Sequence, residues 1–208
     1  MADRAEGADS QYFARRPLAG SSEREITVAA VDPPLRLRTD RGVFSHGRLD
    51  SGTDVLLRQA PPPPATGVLL DLGCGAGAIA LTLARRSPAA QVVAIDVNER
   101  ARELCADNAS RNGLDNVEVL APEHVEEGVR FDLIWSNPPI RIGKSALHEV
   151  LTTWLDRLAP EGSAVLVVHK HLGADSMHRW LTDAGWPSER LASSKGFRLL
   201  RIAARPIL

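Results

Sequence analysis

The segment Ser136, Asn137, Pro138, Pro139, Ile140, directly after the apolar run Phe131 to Trp135, has the clearest chemical implications in this 208-residue chain. Proline fixes its own φ, lacks an N–H and drives the preceding residue into an extended conformation. The Asn137 side-chain oxygen and the Pro138 carbonyl can therefore be held in one orientation. Two oriented acceptors can grip an NH2 group. Earlier in the chain, Asp71 to Gly77 reads Asp-Leu-Gly-Cys-Gly-Ala-Gly, a glycine-rich turn that lets backbone approach a nucleoside-bearing cofactor. Together the two segments suggest methylation of an amine.

An exocyclic NH2 on a base is a poor nucleophile because its lone pair is delocalised into the ring. If Asn137 and Pro138 each accept one N–H, the nitrogen is drawn toward tetrahedral geometry, and the positive charge that develops on it meets two oriented dipoles. The competing reading of Asn137 and Pro138 is an ordinary turn dipeptide. Gly73, Gly75 and Ala78 also satisfy a variant of the dinucleotide fingerprint, so the glycines alone leave a nicotinamide cofactor open. Asp96 stands where an acid could accept both ribose hydroxyls, or could instead cap the following helix with Asn98 and Glu99 in its first turn. Asp71 is suited to holding loop N–H groups, a role compatible with holding the cofactor's amino end.

The elements that must position these residues alternate. Residues 67–72, 91–95, 116–120, 131–135 and 164–169 read as strands, and 76–86, 98–111, 145–158 and 174–184 as helices. Residues 190–193 and 197–203 are β-like. Such alternation calls for an α/β fold, a mostly parallel seven-stranded sheet with helices on both faces. Ligands in such sheets bind beyond the carboxyl ends of the strands. Asp71 and Gly73, Asp96, Glu123 and Asn137 each fall at or just after such an end, so four strand ends converge on one crevice. Before this domain, spanning residues 61–208, residues 25–60 read as a small β-element (26–29, 35–38 and 42–45) followed by a short helix over 54–60. An N-cap cluster, Asp50 to Thr53, precedes that helix. Residues 1–24 are polar and read as a disordered tail.

The glycine turn, Asp96 and the Asn137 loop resemble class I S-adenosylmethionine-dependent methyltransferases. Gly42 to Ser45 with Leu49 to Gly52, Asn137 to Lys144, and Lys195 to Arg201 resemble more narrowly the "methyltransferase small" family, which includes bacterial small-subunit rRNA guanine-N2 methyltransferases. The resemblance runs from about residue 25 to the end. It implies a Rossmann-like fold and S-adenosyl-L-methionine as cofactor. Asp71, Gly73, Cys74, Gly75 and Gly77 would hold the methionine part, with Asp96, Val97 and Asn98 at the ribose edge and Glu123 at the adenine amine. Asn137 and Pro138 would hold the target amine, Asn137 also bordering the cofactor, with Phe44, Pro139, Ile140 and Arg141 on the substrate side. It further implies RNA, specifically rRNA, as substrate. Two departures stand out: Glu123 replaces the usual aspartate, and Ile140 stands where an aromatic residue often stacks on a flipped base. Phe44 could provide that ring, or be a core phenylalanine. The same loop suits adenine N6 and a glutamine amide, and a non-catalytic cofactor-binding module is a further alternative.

Composition sets the outer limits. The formal net charge of −1 gives no global field for nucleic acid. Arg190, Lys195, Arg198, Arg201 and Arg205 form a local basic stretch whose plain reading is a solvated strand face. Cys74 and Cys105 are the only cysteines and lack metal-ligand spacing, which fits a reducing cytoplasm. No membrane span and no metal are expected, and the oligomeric state is open. His169 and His171 have no third ligand to complete a metal site.

Overall fold

The apolar runs Leu69 to Leu72, Val92 to Ile95 and Leu133 to Trp135 are buried on both faces of a central sheet, which is why they read as continuous apolar runs without alternation. Neighbouring residues diverge: Leu69, Val92 and Leu133 enter one core, while Leu70, Val93 and Ile134 enter the other. The computed structural model describes residues 22–45 and 47–206. The elements are β1 (Arg24–Val28), β2 (Leu35–Thr39), α1 (Ser51–Gln59), β3 (Thr66–Leu72), α2 (Ala78–Arg86), β4 (Ala89–Ile95) and α3 (Glu99–Arg111). They continue with β5 (Val117–Leu120), β6 (Phe131–Ser136), α4 (Lys144–Leu155), β7 (Leu158–His169), α5 (Ala174–Asp183), β8 (Ser188–Ser194) and β9 (Phe197–Ala203).

The sheet order is β5-β4-β3-β6-β7-β9-β8, with β9 antiparallel to β7 and β8 antiparallel to β9. β3 is parallel to both β4 and β6. The chain winds outward from β3 in one direction and then restarts at β6 in the other. The topological switch point therefore lies beyond the carboxyl ends of β3 and β6. There the Ser136 hydroxyl donates to the Leu72 carbonyl at 2.7 Å, tying the two ends together.

β1 and β2 form a separate antiparallel pair whose Val28, Leu35 and Leu37 enter the same core as α1 and α2. Polar side chains of α3 complete the join. Asn108 accepts from Arg38 N (2.8 Å) and donates to Arg38 O (2.9 Å), and Asn112 treats Arg36 N and O in the same way. Residues one helical turn apart thus meet residues two apart on a strand. The amides act as a substitute strand along the β2 edge.

Two expectations are corrected. Residues 42–45 form a turn, with Gly42 (φ 81) and Ser45 (φ 65) in the left-handed region, which extended pairing forbids. The helix expected over 145–158 ends at Leu155, and β7 already begins at Leu158. Its first part is irregular because the register jumps from Phe131↔Leu158 to Leu133↔Ser163. The bulge carries Pro160, which cannot donate to a ladder. The expectation for the tail falls on residues 1–21, outside the described residues, apart from its last three positions, where Arg24 opens β1.

Candidate active site

The glycine turn hooks the end of β3 onto the end of β4: Gly73 N and Cys74 N both donate to Ile95 O at 2.9 Å. Gly73, Gly75 and Gly77 all have positive φ, but their surroundings differ. A Cβ at Gly73 or Gly75 would meet nothing within 4 Å, whereas one at Gly77 would strike the Leu81 side chain at 2.7 Å and Cys105 Sγ at 2.8 Å. The first two leave backbone open toward the crevice, and the third is fixed by packing. Cys74 and Cys105 are buried free thiols, and the neighbouring Cys105 thiol, followed by burial, pushes the Cys74 thiol up.

Two acids flank the turn. Asp71 is fully buried; its Oδ2 accepts from Ala80 N at 2.8 Å, and its Oδ1 has no partner among the described residues. Burial pushes its carboxyl up to about 8 against the Ala80 hydrogen bond, and the nearby Asp96 adds to the rise. Asp96 accepts from Gly75 N through Oδ2 and from Asn98 N through Oδ1, both at 2.9 Å. Burial raises its pKa, while those N–H groups and Arg102 oppose the rise. Asp96 therefore holds the turn itself, and each oxygen keeps a second lone pair for a ligand. The α3 cap is Asn98, whose Oδ1 accepts from Arg100 N and Ala101 N. Its Nδ2 donates to Gly42 O at 2.8 Å, so the buried Asn98 side chain braces the turn before Phe44.

Two apolar side chains stand exposed at this edge, Phe44 at 50% and Val97 at 47%. Phe44 lines the same crevice as Gly73, Gly75 and Asn137, so it is not a core residue. Glu123 lies exposed in the short turn Pro122–His124 after β5. Ile140 is half-buried against the core beneath α4, and Arg141 is exposed.

Asn137 immediately follows β6. Its Nδ2 donates to Asp50 Oδ2 at 2.7 Å and to Thr53 Oγ1 at 3.1 Å. Asp50 also caps α1, accepting from Thr53 N at 2.9 Å. An ionised carboxylate only accepts, so the amide nitrogen must face Asp50. Asn137 Oδ1 is left unengaged among the described residues. The buried Pro138 carbonyl accepts from Ile140 N at 2.9 Å, because Pro139 at φ −75, ψ 76 makes an inverse γ-turn. One Pro138 lone pair remains available.

The sequence reads Asp50 and Thr53 as helix-cap residues, with Asp50 inside the family-like segment 49–52, and gives neither a place in the site. Their neighbours explain the spacing around them. A Cβ at Gly52 would meet the Phe197 ring at 2.9 Å, and Lys195 donates to Asp54 at 3.1 Å. The motifs at 49–52 and 195–201 thus pack together behind Asn137. The C-terminal basic stretch is paired: Arg190 and Arg198 with Asp175, Arg201 with Glu189, Arg205 with Asp156 and Lys195 with Asp54. That agrees with the solvated-face reading.

The open glycine backbone, the unpartnered Asp71 oxygen and the exposed Val97 fit a ligand with a cationic amino end and an aromatic base. Sheet order, glycine turn and strand-end acids define a Rossmann-like class I methyltransferase. A family model, the methyltransferase small domain, matches residues 34–201, and the chain belongs to that family. Membership makes it an S-adenosylmethionine-dependent methyltransferase and sets aside the nicotinamide alternative. An uncharacterised protein, YbxB, of Bacillus subtilis is 31% identical over 193 residues, covering 91% of this chain and 96% of its own. The ribosomal RNA small subunit methyltransferase C of Pseudomonas aeruginosa is 37% identical over 182 residues, 85% of this chain and 53% of that one. The chain thus spans about half the length of such relatives. The solved T. thermophilus 16S rRNA N2 G1207 methyltransferase, in complex with AdoMet and guanosine, superposes with TM-score 0.75 at 25% identity. It covers 91% of this chain and 52% of that one. No helix among the described residues is long and apolar enough to cross a membrane.

Proposed function

We propose that this protein methylates the exocyclic N2 amine of a guanine in small-subunit ribosomal RNA. One observation carries the reading: the Asn137 amide is locked by Asp50 with its oxygen unengaged, beside the glycine turn. The likeness to a guanine-N2 enzyme solved with guanosine supports the choice of base. An rRNA substrate implies a cytoplasmic site of action.

When bound, S-adenosylmethionine supplies an electrophilic methyl group on a sulfonium. Asp71 and the backbone of Gly73, Cys74 and Gly75 would hold its methionine end, with Gly77 packed behind them to shape the turn. Asp96 would hold the ribose, Val97 would face the adenine, and Glu123 would sit near the adenine amine. Asn137 Oδ1 and Pro138 O each accept one N–H of the target amine, orienting its lone pair and stabilising the charge that develops there. By analogy with oxyanion-hole donors, with the charge reversed, each acceptor is worth roughly 3 kcal/mol, and alignment supplies much of the rest. Phe44 offers a ring for the target base, with Pro139, Ile140 and Arg141 beside it. Incubation with radiolabelled S-adenosylmethionine and separate pools of rRNA, tRNA, DNA and protein tests the reading. N2-methylguanosine in digested rRNA is expected, and labelling of protein alone overturns it.

A further inference from the structure

We infer that Asp50 determines specificity by accepting the N1–H of guanine, the proton next to the methylated amine; this rests on the guanine-N2 reading above. Asp50 lines the crevice together with Asn137, Phe44 and Gly73, and its two oxygens are used unequally. Oδ2 accepts from Asn137 Nδ2 and Thr53 N, at 2.7 and 2.9 Å, while Oδ1 has no hydrogen-bond partner among the described residues. Asp50 is partly buried, with one oxygen committed to the amine-gripping amide and the other left for a donor that the base presents beside its amine.

Asn137 and Pro138 cannot tell amines apart, because any NH2 satisfies two acceptors. The neighbouring ring atom can. In guanine the N2 amine adjoins N1–H, so the edge offers donors in succession. In adenine the N6 amine adjoins an N1 that accepts. Asn137 Oδ1, the remaining lone pair of Pro138 and Asp50 Oδ1 form an all-acceptor set. It pairs with the first edge and repels the second, since a carboxylate has no proton to offer. A glutamine amide has no second donor beside its NH2 and gains nothing from Asp50. Sites built to hydrogen-bond a substrate proton reject analogues lacking it far more strongly than apolar pockets reject a change of size.

The test compares guanosine with 2-aminopurine riboside, which keeps the 2-amine but lacks the N1 proton. Each is titrated into the whole protein saturated with S-adenosylhomocysteine, so that the cofactor site is filled. Adenosine serves as a further competitor. Wild type is expected to favour guanosine over 2-aminopurine riboside by roughly 10- to 100-fold. Asp50→Asn keeps the helix cap and an oxygen for Asn137 and Thr53, exchanging only the outward oxygen for an NH2. The preference should vanish or invert in this variant. Asp50→Ser, also a competent cap, should reduce the preference without inverting it, and thermal unfolding confirms that both variants are folded. If guanosine binds and its preference is unchanged in folded Asp50→Asn, the inference falls while the guanine reading stands. If wild type does not bind guanosine in preference to adenosine, both fall.

Discussion

Asp50 and Asn137, 87 positions apart, meet through a 2.7 Å hydrogen bond in which the amide donates to the carboxylate. The bond removes the two-fold ambiguity of an amide, because a flipped Asn137 would place oxygen against oxygen. The helix cap of α1 thus sets the orientation of a side chain at the end of β6.

Asn137→Ala should lower the rate of methyl transfer at least 100-fold, in line with the loss of one oriented dipole. S-adenosylhomocysteine affinity should change less than threefold. Thr53→Val removes the weaker, 3.1 Å contact and should cost about tenfold in kcat with little change in KM, because it loosens the amide without removing its oxygen. Rapid-quench kinetics and calorimetry separate the two effects; equal losses of rate and cofactor affinity in Asn137→Ala would refute the amine-gripping role.

Much of this architecture was legible in the sequence because burial on both faces writes long apolar runs, and glycine and proline mark their ends. The positions of Asp71, Asp96 and Asn137 followed from those ends. What local pattern could not supply was contact between distant segments. Asp50 and Thr53 look like any helix cap until α1 is packed against β6. The turn at 42–45 looks extended because Val43 and Phe44 favour strands, yet Asn98 binding Gly42 O overrides that preference. Proline in β7 hid the start of a strand, since a bulge tolerates what a regular ladder does not.

The glycines of the turn should separate folding from binding. Gly77→Ala places a methyl against Leu81 and Cys105 at a φ of 92, and should cost about 2–4 kcal/mol of stability through overpacking and backbone strain. Gly73→Ala meets no neighbour within 4 Å. Its cost is the left-handed backbone alone, about 1–2 kcal/mol, while a Cβ on the open face of the turn should weaken cofactor binding tenfold or more. Denaturant melts and calorimetry on both variants measure the contrast. Equal destabilisation with equal affinity loss would show that Gly73 and Gly77 share one role.

The buried carboxyl of Asp71 makes stability depend on pH with a defined sign. Its pKa rises from an ordinary 3.8 to about 8 on folding, so between those values the folded protein holds a proton that the unfolded chain has lost. Stability from this group is complete below about pH 4, falls as pH rises toward 8, and is flat beyond, with about 1.4 kcal/mol lost per pH unit inside that window. Asp71→Asn should flatten that slope in part, leaving the same-signed contribution of Asp96, whose pKa is also raised. A cationic amino group at Asp71 favours the ionised form. S-adenosylhomocysteine should therefore bind more tightly as pH rises from 6 to 8, releasing a proton, and Asp71→Asn should lose both the release and the trend. Calorimetry in buffers of different ionisation enthalpy reads the proton directly.

Asn108 should matter to the site although it touches no ligand. It is fully buried, and its amide pairs with Arg38 N and Arg38 O and also donates to Ala76 O at 2.9 Å, within the glycine turn. Asn108→Ala strands these backbone groups in a water-poor seam. The cost should be about 3 kcal/mol, because unsatisfied buried groups lose their full solvation. Asn112→Ala breaks the exposed end of the same seam, where water can replace the lost partner, and should cost under about 1 kcal/mol. Hydrogen exchange is the discriminating measurement. In Asn108→Ala the Arg38 amide should lose protection together with the turn that presents Phe44, while the amides of β3 and β4 keep theirs. A uniform loss across the sheet would instead mean that β1 and β2 do not open as a unit, and that Asn108 acts on global stability alone.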